Sequence, residues 1–199
     1  GDFASDRALS ITGQIEKGKA QTASKYKGNG YIAYFQAYTN TYAPPERLRA
    51  VYQEAASHPD IRVLSIATRP DCLDKEVLDI LTEFNRIKPV WIELGLQTIH
   101  EKTAQLIRRG YELPVFEASV RALRLRRIPV IVHTILGLPG EDPDMFLDTV
   151  RYLNTMDIQG VKFQLLHVLK HTDLAKLYEK EPFWLPAMEE YIEIIGQAL

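Results

Sequence analysis

The sequence predicts an α/β fold in which a parallel sheet is covered by amphipathic helices, either as a partial barrel or as an open sheet. Three observations carry this. Five short apolar segments recur at roughly the thirty-residue pitch of βαβ units. Between them lie segments whose apolar residues recur at helical spacing, the mark of helices that bury one face. The 199 residues also fall short of the about 250 that a closed eight-stranded barrel takes. No internal repeat, low-complexity tract or linker stands out, so residues 1–199 are expected to form a single domain.

Asp6–Lys25 reads as a helix, with Ile11 and Ile15 on one face and Gly13 and Gly18 weakening it. Lys27–Gly30 is a turn, and the strand YIAYFQ follows it. Pro44 and Pro45 then open a helix with Leu48, Val51, Tyr52 and Ala55 on its apolar face. Ile61–Ala67 is a strand; Asp74 is the expected N-cap of a helix to about Ile87, with Leu73 and Leu78 as its hydrophobic staple. Trp91–Thr98 is the next strand, and Thr98-Ile99-His100-Glu101 has the capping-box form for a helix ending at Arg108-Arg109-Gly110. A helix with Phe116, Val120 and Leu123 on one face leads to the strand Pro129–Leu136. Asp142-Pro143 caps and starts another helix, Val161–His167 is the fifth strand, Thr172 caps a helix toward Lys180, and Glu189–Leu199 is helical.

Hydrophobic content of 46% with 25% charged residues suits a globular core, and a formal charge of −2 argues for no nucleic-acid or acidic-membrane partner. No apolar run reaches the length of a membrane span, and GDFASDR lacks a signal-peptide apolar region. The single cysteine, Cys72, allows no internal disulfide and no cysteine-built metal site. The expected setting is cytoplasmic, without a membrane partner.

In parallel α/β folds ligands sit at the carboxyl ends of the strands. That edge collects Gln36 with the Tyr38–Tyr42 loop, Thr68 and Arg69, Glu93 and Gln97, His133 with Gly137–Glu141, and Gln164 with His167. Within Trp91–Thr98, Ile92, Leu94 and Leu96 share one face, while Glu93, Gly95 and Gln97 share the other. An interior strand with a polar row points to a site, because buried polar groups need partners. Taken singly, Glu93 also suits a buried ion pair and His133 a satisfied core histidine. Arg121, Arg124, Arg126 and Arg127 read as a solvated helix face and end, and Cys72 as structural. There is no G-x-S-x-G, P-loop, G-x-G-x-x-G or H-E-x-x-H. The residues alone stop at a parallel α/β domain with a polar ligand site, which does not name the reaction; a barrel enzyme with Glu93 and His133 as acid and base stays open.

The runs YIAYFQAYTNTYAP, SIATRPDCL, WIELGLQTIHEKTAQLIRRG, HTILGLPGED and KFQLLHVLKHT resemble, in order and spacing, the radical S-adenosylmethionine (SAM) superfamily. The branch indicated is a bacterial one related to the elongator-type (Elp3-like) and oxygen-independent coproporphyrinogen oxidase enzymes. The resemblance implies a partial parallel (β/α)6 TIM-like barrel holding a [4Fe-4S] cluster and SAM. In the family the cluster reduces SAM to methionine and a 5′-deoxyadenosyl radical that takes hydrogen from a substrate. By resemblance, Gln97 contacts SAM, Arg109 holds its methionine carboxylate and His133 stands near the ribose hydroxyls. Gly137–Glu141, including Gly140, lies beside adenine, while Gln36 and the Tyr38–Thr41 loop stand near the methionine amine. Thr68 and Arg69 occupy a third-strand end, and Glu93 and Gln164 complete the expected cofactor contacts. The family's first strand ends in a loop with three cluster-ligating cysteines. GDFASDR resembles the segment after it, so the expectation is a chain without first strand or cluster loop, inert alone, whose parent is an Fe-S oxidoreductase. Expected partners are an unidentified substrate (tRNA or a small molecule), an electron donor such as flavodoxin or ferredoxin, and a second copy through the open barrel edge. Without a cluster, the alternative is a SAM- or nucleoside-binding module.

Overall fold

A computed structural model describes residues 9–28, 30–36 and 38–199. The start of the first helix before Leu9, the segment GDFASDR, Asn29 and Ala37 lie outside the described residues. The elements run α1 (Ile11–Thr22), β1 (Tyr31–Phe35), α2 (Pro45–Ser57), β2 (Ile61–Thr68), α3 (Lys75–Ile87), β3 (Val90–Gln97) and α4 (Glu101–Leu106), with a 3-10 turn at Pro70–Cys72. They continue with α5 (Leu113–Leu125), β4 (Val130–Leu136), α6 (Pro143–Leu153), β5 (Gly160–Leu165), α7 (Asp173–Lys180) and α8 (Met188–Ala198).

All five strands pair in parallel in the order β1-β2-β3-β4-β5. An open doubly wound sheet reverses its strand order to place helices on both faces. Here each crossover steps the same way, and right-handed connections then put the covering helices on one face. The other face is the inside of a partial barrel, which decides between the two architectures left open by the sequence. Ile92, Leu94 and Leu96 are fully buried on the helix side with Tyr52, Phe84, Phe116 and Leu123. A smaller cluster of Leu136, Phe146, Val150 and Ile194 joins β4 to α6 and α8.

Helix starts follow local chemistry. Asp74 accepts from Val77 N at 2.8 Å, Asp142 from Met145 N at 2.9 Å and Thr172 from Ala175 N at 3.1 Å, each cap worth about 1 kcal/mol. The capping box at Thr98 does not form. Thr98 Oγ1 accepts from His100 N at 3.0 Å but donates to Glu141 Oε1 at 2.6 Å, and Glu101 turns to Arg109 at 3.1 Å. Its helix therefore starts late and spans Glu101–Leu106 only. No helix among the described residues is long and apolar enough to cross a membrane.

Candidate functional site

A cleft of about 790 Å³ opens at the carboxyl ends of β2, β3 and β4, within the range of ligand pockets. Thr68, Arg69, Glu93, Gln97, Arg109 and His133 all line it, so the structure brings together six of the residues singled out by sequence. It does not bring in the other four. Gln36 is exposed just past the end of edge strand β1, and Gln164 is exposed on edge strand β5. Gly137 and Gly140 serve the backbone, with φ of 88° and 81° in the left-handed region that glycine enters without strain. Between them Leu138 and Pro139 reach the cleft wall, and Glu141 N closes the turn onto Leu138 O at 3.0 Å.

Gln97 is the most unusual residue of the wall. Its φ is 70°, a left-handed conformation rare outside glycine, and the β3–β4 register shifts between Gly95 and Gln97. This bulge folds the amide back over Gly95, where a Cβ would stand 2.7 Å from Gln97 Nε2. Gln97 Oε1 is buried without a hydrogen-bond partner. Tyr111 OH donates to Gly95 O and fixes the backbone under the bulge. Burial pushes that phenol up to about 12.

Arg109 sits at the wall with three donors already engaged. Nε reaches Tyr111 O at 2.9 Å, Nη1 reaches Thr98 O at 2.8 Å and Nη2 reaches Glu101 Oε2 at 3.1 Å. Its guanidinium and that of Arg69 lie 4.9 and 5.4 Å from the Tyr111 ring centre, in cation–π range. Arg69 also pairs with Asp71 at 2.7 Å, and Thr68 Oγ1 bonds Thr41 Oγ1.

Across the floor of the barrel runs one polar layer. Ser65 donates to Glu93 Oε1 at 2.5 Å, His133 Nε2 meets Glu93 Oε2 at 2.6 Å and Lys162 Nζ lies 3.6 Å from the same oxygen. Lys162 also donates to Tyr34 OH at 3.2 Å, linking edge strands β5 and β1 across the concave face. Burial alone would raise the Glu93 carboxyl, but bonds from His133 and Ser65 and the nearby positive charge outweigh it and hold it at about 2. In this layer the carboxylate is held as an acceptor by His133, Ser65 and Lys162.

Sequence reasoning missed Tyr111, Arg108 and the apolar half of the wall, Ile135, Leu166, Leu174 and Leu177. Ile135 was findable, standing two residues from His133 on the same face. Leu174 and Leu177 form the inner stripe of α7, which covers the cleft without burying any residue fully and pairs with Arg108 through Asp173 at 3.2 Å. Cys72 lies on the 3-10 turn outside the cleft, and burial raises its thiol, as suits a structural cysteine. The one group with metal-ligand spacing among the described residues is Glu16, His58 and Asp60, at the amino end of β2. Lys19 Nζ already bridges its carboxylates at 2.8 and 2.5 Å, which leaves it no call for a cation.

Comparison with known proteins bears on this geometry. The model of the Radical SAM superfamily matches residues 16–153, and that of the Radical_SAM C-terminal domain matches residues 158–199. The uncharacterised protein YtqA of Bacillus subtilis (strain 168) is 43% identical over 199 residues, which is all of this chain and 62% of that protein. The chain thus spans about three fifths of that relative's length. Among solved structures, the archaeal Methanocaldococcus infernus Elp3 with an N-terminal deletion superposes with a TM-score of 0.78 at 18% identity, covering 94% of this chain and 48% of that one. Coproporphyrinogen III oxidase (HemN) from Escherichia coli, a radical SAM enzyme, superposes at 0.64 with 16% identity, covering 83% and 38%. At such identities the likeness is one of fold: the partial barrel is shared.

Proposed function

The chain belongs to the radical SAM superfamily, and from that premise we propose that its cleft binds S-adenosylmethionine as part of an enzyme that cleaves it reductively. The observation that carries this reading is the β3 bulge, which sets Gln97 in the cleft wall in a left-handed conformation with its Oε1 buried and unpartnered. A protein leaves a buried acceptor unpaired at a cost of about 1–3 kcal/mol, so such an atom points to a ligand donor that completes it.

The remaining wall fits the same molecule. Ile135, Leu138, Leu166, Leu174 and Leu177 offer apolar surface of the kind a purine packs against, and Arg69 and Arg108 bring positive charge to the same cleft, where a carboxylate could pair with it. Gly95 keeps the room that the amide needs, and α7 sets Leu174 and Leu177 against the cleft. With one electron from a [4Fe-4S] cluster, bound SAM would divide into methionine and a 5′-deoxyadenosyl radical able to abstract hydrogen. A cluster takes thiolate ligands, and Cys72 is the only thiol in these 199 residues, so they do not by themselves fit one. The part of this chain is to bind, orient and shield the SAM. The electron donor, such as flavodoxin or ferredoxin, and the substrate belong to the same proposal. The matched tRNA uridine(34) acetyltransferase of Methanocaldococcus infernus, 29% identical over 150 residues, keeps tRNA among the substrate candidates.

Titration calorimetry of the 199-residue chain with SAM tests the reading, with Gly95→Ala as the probe. The new methyl meets only the mobile end of the Gln97 side chain. Folding stability is therefore expected to change by less than about 1 kcal/mol while SAM affinity falls at least about tenfold. No heat with the wild-type chain, or full affinity in Gly95→Ala, would sink the proposal.

A further inference from the structure

Glu93 lines the cleft with both carboxylate oxygens held by protein groups: Ser65 Oγ on Oε1, and His133 Nε2 and Lys162 Nζ on Oε2. An ionised carboxylate only accepts, so the nitrogen facing it must donate, and His133 carries its proton on Nε2. Its other nitrogen, Nδ1, has no partner among the described residues. It is also not among their buried unpartnered atoms, and is therefore open to the cleft that the ring lines.

We propose that Glu93 is a positioning residue that holds His133 as the Nε2–H tautomer, so that Nδ1 presents a bare lone pair at the cleft floor. A ligand must then place a hydroxyl or N–H donor there, and a carbonyl or phosphate oxygen at the same point is rejected. This deepens the cleft reading and rests on it. The layer explains why the carboxylate, rather than the imidazole, is fixed first. Lys162 from β5 and Ser65 from β2 both stabilise its ionised form, and Tyr34 from β1 holds Lys162 in place. The other charged or titratable groups on the cleft side are Tyr38, Arg69, Arg108, Arg109, Tyr111 and Asp173.

The test is nitrogen NMR of the 199-residue chain labelled in its five histidines, with His133 assigned through His133→Gln, alongside calorimetry with SAM. Near neutral pH the wild type is expected to show His133 with Nδ1 unprotonated and an Nε2 proton protected from solvent exchange. In Glu93→Gln that proton signal moves upfield or is lost to exchange, and SAM affinity drops about tenfold. Glu93→Asp, which keeps the charge, recovers part of both. A wild-type His133 protonated on Nδ1, or lacking a protected Nε2 proton, overturns the proposal even if the Gln variant does not fold. A folded Glu93→Gln that binds SAM unchanged overturns it as well. The stated tautomer together with no SAM binding upholds the positioning role and defeats the cleft reading instead.

Discussion

Arg109→Ala separates a ligand-holding arginine from one that holds the protein. The side chain is 2% exposed and makes three hydrogen bonds, at 2.9 Å to Tyr111 O, 2.8 Å to Thr98 O and 3.1 Å to Glu101. Glu101 is 45% exposed, so that pair contributes under about 1 kcal/mol after screening. The two carbonyl bonds come from a charged donor and are worth about 1.5 kcal/mol or more each. Removing the guanidinium also strips a bonding partner from the Thr98 carbonyl, next to a fully buried side chain. The sum is a loss of about 3–5 kcal/mol, the size seen when one member of a buried charged group is deleted. For a domain of this length that lowers Tm by about 10 °C. Urea unfolding and calorimetry in the absence of SAM read it directly. A destabilisation below about 1 kcal/mol would refute the reasoning and return Arg109 to the role of a ligand arginine with little structural duty. Arg109→Lys should rescue little, since a point charge cannot reach three acceptors at once.

Two further outcomes follow from the same floor and wall. Gln97→Gly removes both the left-handed side-chain strain and the orphaned oxygen. Chemical denaturation should find the variant between unchanged and about 1 kcal/mol more stable, with SAM affinity reduced at least about tenfold; a clear destabilisation would mean the amide is a structural contact. Glu93 falls from an ordinary 4.5 to about 2 in the folded chain. A depressed carboxyl stabilises the fold fully above 4.5, and that contribution, on the order of 3 kcal/mol, drains away as pH falls from 4.5 toward about 2. Urea midpoints measured from pH 6 downward should therefore drop more steeply in the wild type than in Glu93→Gln, and parallel curves would contradict the shift.

The fold was legible because its signals are local. Asp74, Asp142 and Thr172 cap the helices their positions indicated, since each bond closes within three residues. The alternation of Ile92, Leu94 and Leu96 with Glu93, Gly95 and Gln97 assigned the two faces of β3 correctly. The Thr98 capping box failed for the opposite reason. Its hydroxyl found Glu141, 43 residues away, and its glutamate found Arg109, competitors that no reading of four consecutive residues reveals. The apolar wall was hidden because Leu174 and Leu177 carry the same spacing whether a helix covers a core or a ligand.

Strand-end polarity locates a site without ranking its members, and the structure ranks them by what each side chain still has to give. Glu93 has both oxygens occupied, so it can act only through a neighbour. Arg109 has three donors committed to protein acceptors, which makes it first a staple of the β3–α4 connection. His133 has one nitrogen fixed and one open to the cleft. Gln97 alone is bent into an unfavourable backbone conformation and left with a buried acceptor unpaired. Strain and an unsatisfied atom at one residue are costs that folding alone does not repay, which is why the SAM proposal rests on Gln97. By the same logic, substitutions at Glu93 and Arg109 should register in stability before they register in binding, and substitutions at Gln97 in binding before stability.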